Sequence, residues 1–429
     1  MTELDLHVVS PGQTLYAVAR EYGVAPGILA RINGLSEPYR LAVGQSLLVL
    51  FPEELYTVRA GDTLFSVARS AGISVTELYQ RNPNLGGRPE LYPGQVLVLR
   101  YRGERPRGAL VTGYAYPFAD EETLRGILPY ATYLAPFTYG FTPEGALVDL
   151  EDEALVYLAH RYQAGALLHL STLTESGGFS SELAAAVLGD AAARGALEDA
   201  VILQMVQGGY DGVDVDFEYL GAENAEGYAA FISSLRARVN ALGGVLIAAA
   251  APKSSRDQAG ILYEGHDYAL LGAAADAVLV MTYEWGYTYG PPMAVAPLMS
   301  VRRVLEFAKT EMPPEKILMG FPNYAYDWTL PYHAGQSRAK SIGNEDAVRL
   351  AVEVGAEIKY DETSATPYFH YTKDGRVHEV WFEDARSSLA KLSLISSLGL
   401  LGVGYWNFMR PFRQNFSVLQ ALYSVRKFA

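Results

Sequence analysis

In the N-terminal part of the chain, apolar positions form a short alternating run, then two stretches at helical spacing, then another short run, and the whole pattern occurs twice. Each copy predicts strand, helix, helix, strand. Thr14 or Thr63 is placed to cap the first helix and Gly23 or Gly72 to stop it. A second short helix runs to Asn33 or Asn82, and Val43-Gly44-Gln45 or Pro93-Gly94-Gln95 turns into the closing strand. From Ala109 onward short apolar runs alternate with longer helical patterns, as in parallel strands joined by crossover helices. Strands are expected to begin near Leu110, Ala131, Ala166, Gly212, Val245, Ala277, Ile317 and Leu401, with helices over 152–162, 181–206, 224–240, 297–310 and 387–398. Such units close most economically into a (β/α)8 barrel. The interval before the last strand is too long for a crossover. Its segments 357–361, 367–371 and 377–382, with a Lys373-Asp374-Gly375 turn, predict a small antiparallel α+β insertion over about 329–384.

The duplication is detailed. Val9, Gly12, Thr14, Leu15, Val18, Ala19, Arg20, Gly23, Leu29 and Asn33 return as Val58, Gly61, Thr63, Leu64, Val67, Ala68, Arg69, Gly72, Leu78 and Asn82. After a one-residue insertion Leu41, Gly44, Gln45 and Leu47 return as Leu91, Gly94, Gln95 and Leu97. Units of about 45 residues bury only a small core, so copies at 6–51 and 55–100 read as binding modules and not as enzymes. Residues 101–108, with Pro, Gly and several arginines, read as a solvated linker to a barrel over 109–429.

The fourth strand carries the chemistry. In Asp211-Gly212-Val213-Asp214-Val215-Asp216-Phe217-Glu218 alternation puts Asp214, Asp216 and Glu218 on one face and Val213, Val215 and Phe217 on the other. Three carboxylates in one inward row must share protons, which raises some pKa values and leaves a carboxylic acid available near neutral pH, as a general acid for glycosidic cleavage requires. The loop oxygens and turn glycine of a calcium loop are missing, which disfavours a cation site. Tyr114, Tyr116, Phe137, Tyr139, Asn323, Tyr324 and Tyr326, at expected strand ends, are candidates to line a cleft. His169, between Leu168 and Leu170, reads as a core histidine.

Composition narrows the partner. Half the residues are hydrophobic (50%), which is globular, and a net charge of −14 argues against nucleic acid, whose binding is driven by Lys and Arg. The chain has no cysteine, so disulfides, zinc ribbons and thiol nucleophiles are excluded. Its acidic start lacks the features of a secretory signal, and no stretch is apolar enough to suggest membrane insertion. The 30 tyrosines against 16 phenylalanines suit surfaces that stack on sugars and hydrogen-bond their hydroxyls.

Both repeats, with Val9-Ser10-Pro11-Gly12-Gln13-Thr14-Leu15 and Val58-Arg59-Ala60-Gly61-Asp62-Thr63-Leu64, resemble the LysM module. That implies a partner glycan containing N-acetylglucosamine, such as peptidoglycan or chitin. The carboxylate row is similar to the DxxDxDxE motif of family-18 glycoside hydrolases, and Met281-Thr282-Tyr283-Glu284 and Gly404-Tyr405-Trp406 extend the resemblance. It implies catalytic roles for Glu218 as acid/base, Asp216 as the group orienting the substrate acetamide, Asp214 as its support and Tyr283 as a donor to the acetamide. It also implies that Trp406 floors the sugar subsite. Asp211, Met281, Glu284, Tyr114, Phe137, Asn323 and Tyr324 complete the expected substrate contacts. The family's nucleophile is the substrate's own acetamide, so configuration is retained and no metal or cofactor is implied.

Two glycan modules before such a barrel resemble the spore cortex-lytic N-acetylglucosaminidases. The expectation is a monomeric peptidoglycan hydrolase of the spore, made in the mother cell without a signal peptide. Alternatives are a chitinase or endo-N-acetylglucosaminidase on another glycan, and a non-catalytic lectin-like barrel, which the presence of Glu218 disfavours.

Overall fold

The computed structural model describes residues 3–103, 107–174 and 177–428. Eight parallel strands form the barrel: Gly108–Ala115, Tyr133–Pro136, Gly165–Ser171, Gly212–Asp216, Val245–Ala250, Ala277–Val280, Ile317–Pro322 and Gly402–Trp406. The first and last pair, with Gly402 opposite Leu110, and this closes the sheet. Glycines sit where neighbouring backbones crowd in: a Cβ on Gly402 would lie 1.9 Å from the Leu110 carbonyl oxygen. Between strands run amphipathic helices such as Glu153–Arg161 and Leu298–Glu311, whose apolar faces complete the core. The helix expected over 181–206 is two helices, Ser181–Gly189 and Ala191–Gly208. Extended Asp190 breaks the run and caps the second by accepting from the Ala192 and Ala193 N–H groups. No helix among the described residues is long and apolar enough to cross a membrane.

The N-terminal modules fold as strand, helix, helix, strand, with Leu4–Val8 pairing Ser46–Leu50 and Pro52–Thr57 pairing Val96–Tyr101. Thr14 and Thr63 do cap their helices, accepting from Ala17 N and Ser66 N. The repeated asparagines join each second helix to its closing strand. Asn33 Nδ2 donates to the Leu29 and Leu48 carbonyls while its Oδ1 accepts from Leu48 N, and Asn82 makes the same bonds with Leu78 and Val98. Each buried amide satisfies backbone groups that have no partner in their own element, so it is costly to replace.

The insertion begins at Ala325, earlier than about 329, because the chain turns into Ala325–Thr329 almost directly from the seventh barrel strand. Five antiparallel strands and the helix Asn344–Val354 form it. Asp374 and Gly375, at φ 51° and 72°, make the two-residue turn between its longest strands.

Residues 104–106 of the expected linker lie outside the described residues. Arg107 is not solvated: its guanidinium donates to the carbonyls of Ile395, Gly399 and Leu400 at the end of the helix Ala385–Leu398. The modules themselves are docked on the barrel. In the first, Ala42 joins the hydrophobic cluster of the insertion beside Ile358, Phe369 and Phe382, Val43 O accepts from Ile358 N at 2.8 Å, and Gln414 Nε2 donates to Asn33 Oδ1 and Ser46 O. In the second, Gln80 and Gly87 exchange hydrogen bonds with Pro129, Tyr130 and Tyr162.

The duplication supplies an internal control for this docking. Gly44 and Gly94 are equivalent and both have positive φ, but a Cβ on Gly44 would lie 1.8 Å from Ile358 O, whereas Gly94 faces open space. Gly94→Ala should cost about 1–2 kcal/mol from backbone strain alone, and Gly44→Ala at least about 2 kcal/mol more. Denaturant unfolding of the two full-length variants measures this; equal losses would show that the contact contributes nothing.

Candidate active site

The fourth barrel strand ends at Asp216, so the carboxylate row climbs from the core to the cleft. Asp214 is 2% exposed and Asp216 6%, while Glu218, past the strand end, reaches solvent. Burial pushes the Asp214 carboxyl up to about 8, with the Asp216 charge adding to it and the Tyr114 hydroxyl opposing. Burial also raises Asp216. Glu218 is raised well above the ordinary glutamate range by burial, then by Asp216 and Glu284. At neutral pH the row therefore holds fewer charges than carboxyls, and its topmost member can give a proton.

Around Glu218 two hollows meet. One, of about 320 Å³, is walled by Tyr114, Tyr116, Phe137, Phe179 and Trp406. The other, of about 270 Å³, is lined by Ser254, Gln258, Tyr263, Trp285 and Arg303. Glu218, Met281, Tyr283 and Glu284 line both, and so stand at the junction of a continuous cleft. Burial and the surrounding carboxylates keep the Tyr283 phenol firmly protonated, hence a donor. Trp406 packs edge-on against Phe137, with ring centroids 4.9 Å apart, and lies 5.5 Å from Tyr114. Glu284 adopts the left-handed φ of 67°, a costly conformation for a residue with a Cβ. Its carboxylate accepts from the hydroxyls of Tyr324 and Tyr326, the latter at 3.1 Å and on the first strand of the insertion. The insertion thereby helps to fix a cleft residue.

Three candidates fall elsewhere. Asp211 precedes the strand at its N-terminal end, roughly five residues at 3.3 Å each below Asp216, and Oδ2 binds His160 Nε2 and Ala166 N. It caps the bottom of the barrel. Asn323 is buried and its amide donates to the carbonyls of Asn407 and Arg410, so it secures the loop after Trp406 from behind. Tyr139 is buried against Asp152 and Tyr210. His169 is fully buried, as expected of a core residue, but its Nε2 lies 3.6 Å from Asp214 Oδ2 and 3.9 Å from Asp216 Oδ2. The signal was parity: His169 pairs in register with Asp214 on the adjacent strand, and both side chains point inward. Phe179, Gln258 and Arg303 come from loops and a helix face and carried no sequence signal.

Residues 164–410 match the model of glycosyl hydrolases family 18. The chain belongs to that family. As a family-18 member it is a glycoside hydrolase, and residues 7–49 and 56–100 match the LysM domain. It is 36% identical to the cortical fragment-lytic enzyme of Bacillus subtilis and 33% to that of Bacillus anthracis, over 99% of both chains in each comparison. The crystal structure of the Bacillus cereus spore cortex-lytic enzyme SleL covers 99% of both chains, with a TM-score of 0.84 and 33% identity. A chitinase from Chromobacterium violaceum covers 73% of this chain and 99% of its own, with a TM-score of 0.67 and 26% identity.

A carboxyl whose pKa is raised by folding adds stability below its unfolded value of about 4, and that stability is lost as pH rises through the folded value of about 8. Asp214→Asn removes this term. The melting temperature of the variant should therefore rise relative to the parent as pH goes from 4 to 8; a pH-independent difference would mean that Asp214 is not protonated by folding.

Proposed function

We propose that the chain is a retaining N-acetylglucosaminidase acting on spore cortex peptidoglycan. The observation that carries the reading is the placement of Glu218. It is a carboxyl of raised pKa, reachable from solvent, at the junction of both halves of the cleft and above a buried pair that shares protons. Glu218 protonates the glycosidic oxygen as its bond to C1 breaks, and the substrate's acetamide oxygen bonds to C1 in its place. The resulting oxazolinium carries a positive charge and an N–H. Asp216 accepts that N–H, and the Tyr283 phenol donates to the acetamide oxygen during approach. Glu218, now ionised, takes a proton from water as the water oxygen attacks C1 and reopens the ring. Two inversions at C1 give net retention. Trp406 supplies the apolar face under the sugar, and Tyr114 and Phe137 fix the Trp406 ring.

The full-length likeness to cortex-lytic enzymes supports cortex as the substrate and the spore as the place of action. Glu218→Gln should lower kcat on solubilised peptidoglycan by about 10³-fold or more and leave binding intact. Mass spectrometry of wild-type digests should show chains ending in reducing N-acetylglucosamine. Ends in reducing muramic acid, or faster cleavage of chitin oligomers than of cortex fragments, would overturn the assignment.

Glycan anchoring falls to the second LysM copy. Tyr92 is 69% exposed beside the open Gly94, whereas its counterpart Ala42 is buried under the insertion and Gly44 abuts Ile358; Phe65 and its counterpart Tyr16 are both exposed and do not separate the copies. Tyr92→Ala should weaken sedimentation of inactive Glu218→Gln protein with intact sacculi by about 10-fold, the loss of one stacked aromatic ring. Tyr16→Ala, in the first copy, should change it less than 2-fold; the reverse ranking would assign anchoring to the first copy.

A further inference from the structure

His169 sits beneath the carboxylate row without being used by the mechanism above. It is wholly buried, on the third barrel strand, in register with Asp214. One ring nitrogen is engaged: Nδ1 lies 2.6 Å from Thr138 Oγ1. The Thr138 hydroxyl has its own acceptor in Ser171 Oγ at 2.9 Å, and Ser171 Oγ in turn accepts from Leu173 N. With its hydrogen turned to Ser171, Thr138 Oγ1 can only accept from the ring, so the imidazole proton belongs on Nδ1. Nε2 then presents a lone pair toward Asp214 Oδ2 at 3.6 Å and Asp216 Oδ2 at 3.9 Å. Among the described residues Nε2, both Asp214 oxygens and Asp216 Oδ1 lack a hydrogen bond of normal geometry, although the Tyr114 hydroxyl lies close enough to lower the Asp214 pKa. A small closing movement converts this group of unsatisfied atoms into a bond, provided that one carboxyl carries a proton.

We propose that His169 is a positioning residue: by accepting through Nε2 it keeps the proton shared by the row on Asp214 and so leaves Asp216 ionised to receive the oxazolinium N–H. This role rests on the acetamide mechanism proposed above. No proton is consumed: the Asp214 proton stays between Oδ2 and Nε2 while Glu218 gives and regains its own. The surroundings favour a neutral acceptor over an imidazolium. The ring lies among Phe137 and Tyr114, at 4.6 Å and 5.2 Å between centroids, and burial alone pushes its pKa down to about 3. The titratable groups around the row are Asp214, Asp216 and Glu218 on the fourth strand and its extension, Tyr114 on the first, Tyr283 and Glu284 after the sixth, the latter adding to the rise of Glu218, and Tyr228 on the following helix. All three phenols are raised well above their ordinary value and stay neutral.

Without the acceptor, the shared proton shifts toward Asp216 and neutralises it. His169→Phe preserves the buried ring and should lower kcat about 10–100-fold, as loss of a residue orienting a reacting group does, with KM changed less than 3-fold. The acid limb of its kcat profile should move up by about one pH unit, because Asp216 must now lose a proton it did not hold. His169→Gln, whose Oε1 can replace Nε2 as acceptor, should restore most of both. A merely structural role would lower activity without moving the acid limb or distinguishing Gln from Phe, and that result overturns the proposal. Should His169→Phe fail to fold, ¹⁵N NMR of the wild-type ring decides: Nδ1–H with bare Nε2 supports it, and Nε2–H or imidazolium overturns it. N-acetylglucosamine thiazoline, a stable oxazolinium mimic, separates the two levels. Inhibition of the wild type with unshifted variants refutes only the role of His169, whereas an uninhibited wild type refutes the mechanism on which that role depends.

Discussion

Three carboxyl groups on alternate residues of one barrel strand cannot all be ionised where water is scarce and like charges are neighbours. The row satisfies that constraint by sharing protons, and the rest of the cleft is arranged around the result. Asp214 and Asp216 are sealed in the barrel, and Glu218 is held at the rim with its pKa raised by burial, by Asp216 and by Glu284. Its acidity therefore depends on two different neighbours. Asp216 lies below it on the same strand; Glu284 is held in a left-handed conformation by tyrosines that precede and begin the insertion.

The insertion that carries Tyr326 is itself packed against the first LysM copy. Ala42, Val43 and Gly44 close one side of the insertion's core, and the opposite side carries Tyr326 toward the cleft. The first module thus supports the structure that braces Glu284, while its duplicate leaves the equivalent loop exposed. The two copies of one repeat thus present the same loop differently, and the residue that separates them is small: Ala42 is buried under the insertion, whereas Tyr92 is exposed.

Much of this was legible in the sequence because it follows from period and parity. All eight strand starts fall within about two residues of those expected from apolar runs, and alternation alone put the three carboxyls on one face. Asp211 was misplaced for the same reason it was noticed: it belongs to a continuous motif, but strand rise carries it to the opposite end of the barrel. His169 was hidden by its leucine neighbours, since an inward-facing polar residue flanked by outward apolar ones looks like core until its partner strand is known. The break at Asp190 depended on one local capping side chain within a helical pattern. The docking of the LysM copies was not legible at all, because Val43 and Ile358 are ordinary residues more than three hundred positions apart.

On the mechanism proposed above, the substrate's acetamide, and no protein carboxylate, attacks C1 under the control of the shared-proton row. The most direct test is the hydrolysis rate of a series of soluble substrates in which the cleaved sugar carries acetyl, fluoroacetyl, difluoroacetyl or trifluoroacetyl on nitrogen. Each fluorine withdraws electrons from the attacking oxygen, so kcat should fall steeply across the series, with little change in KM. A flat series would mean that water or a carboxylate makes the bond to C1, and would contradict that mechanism.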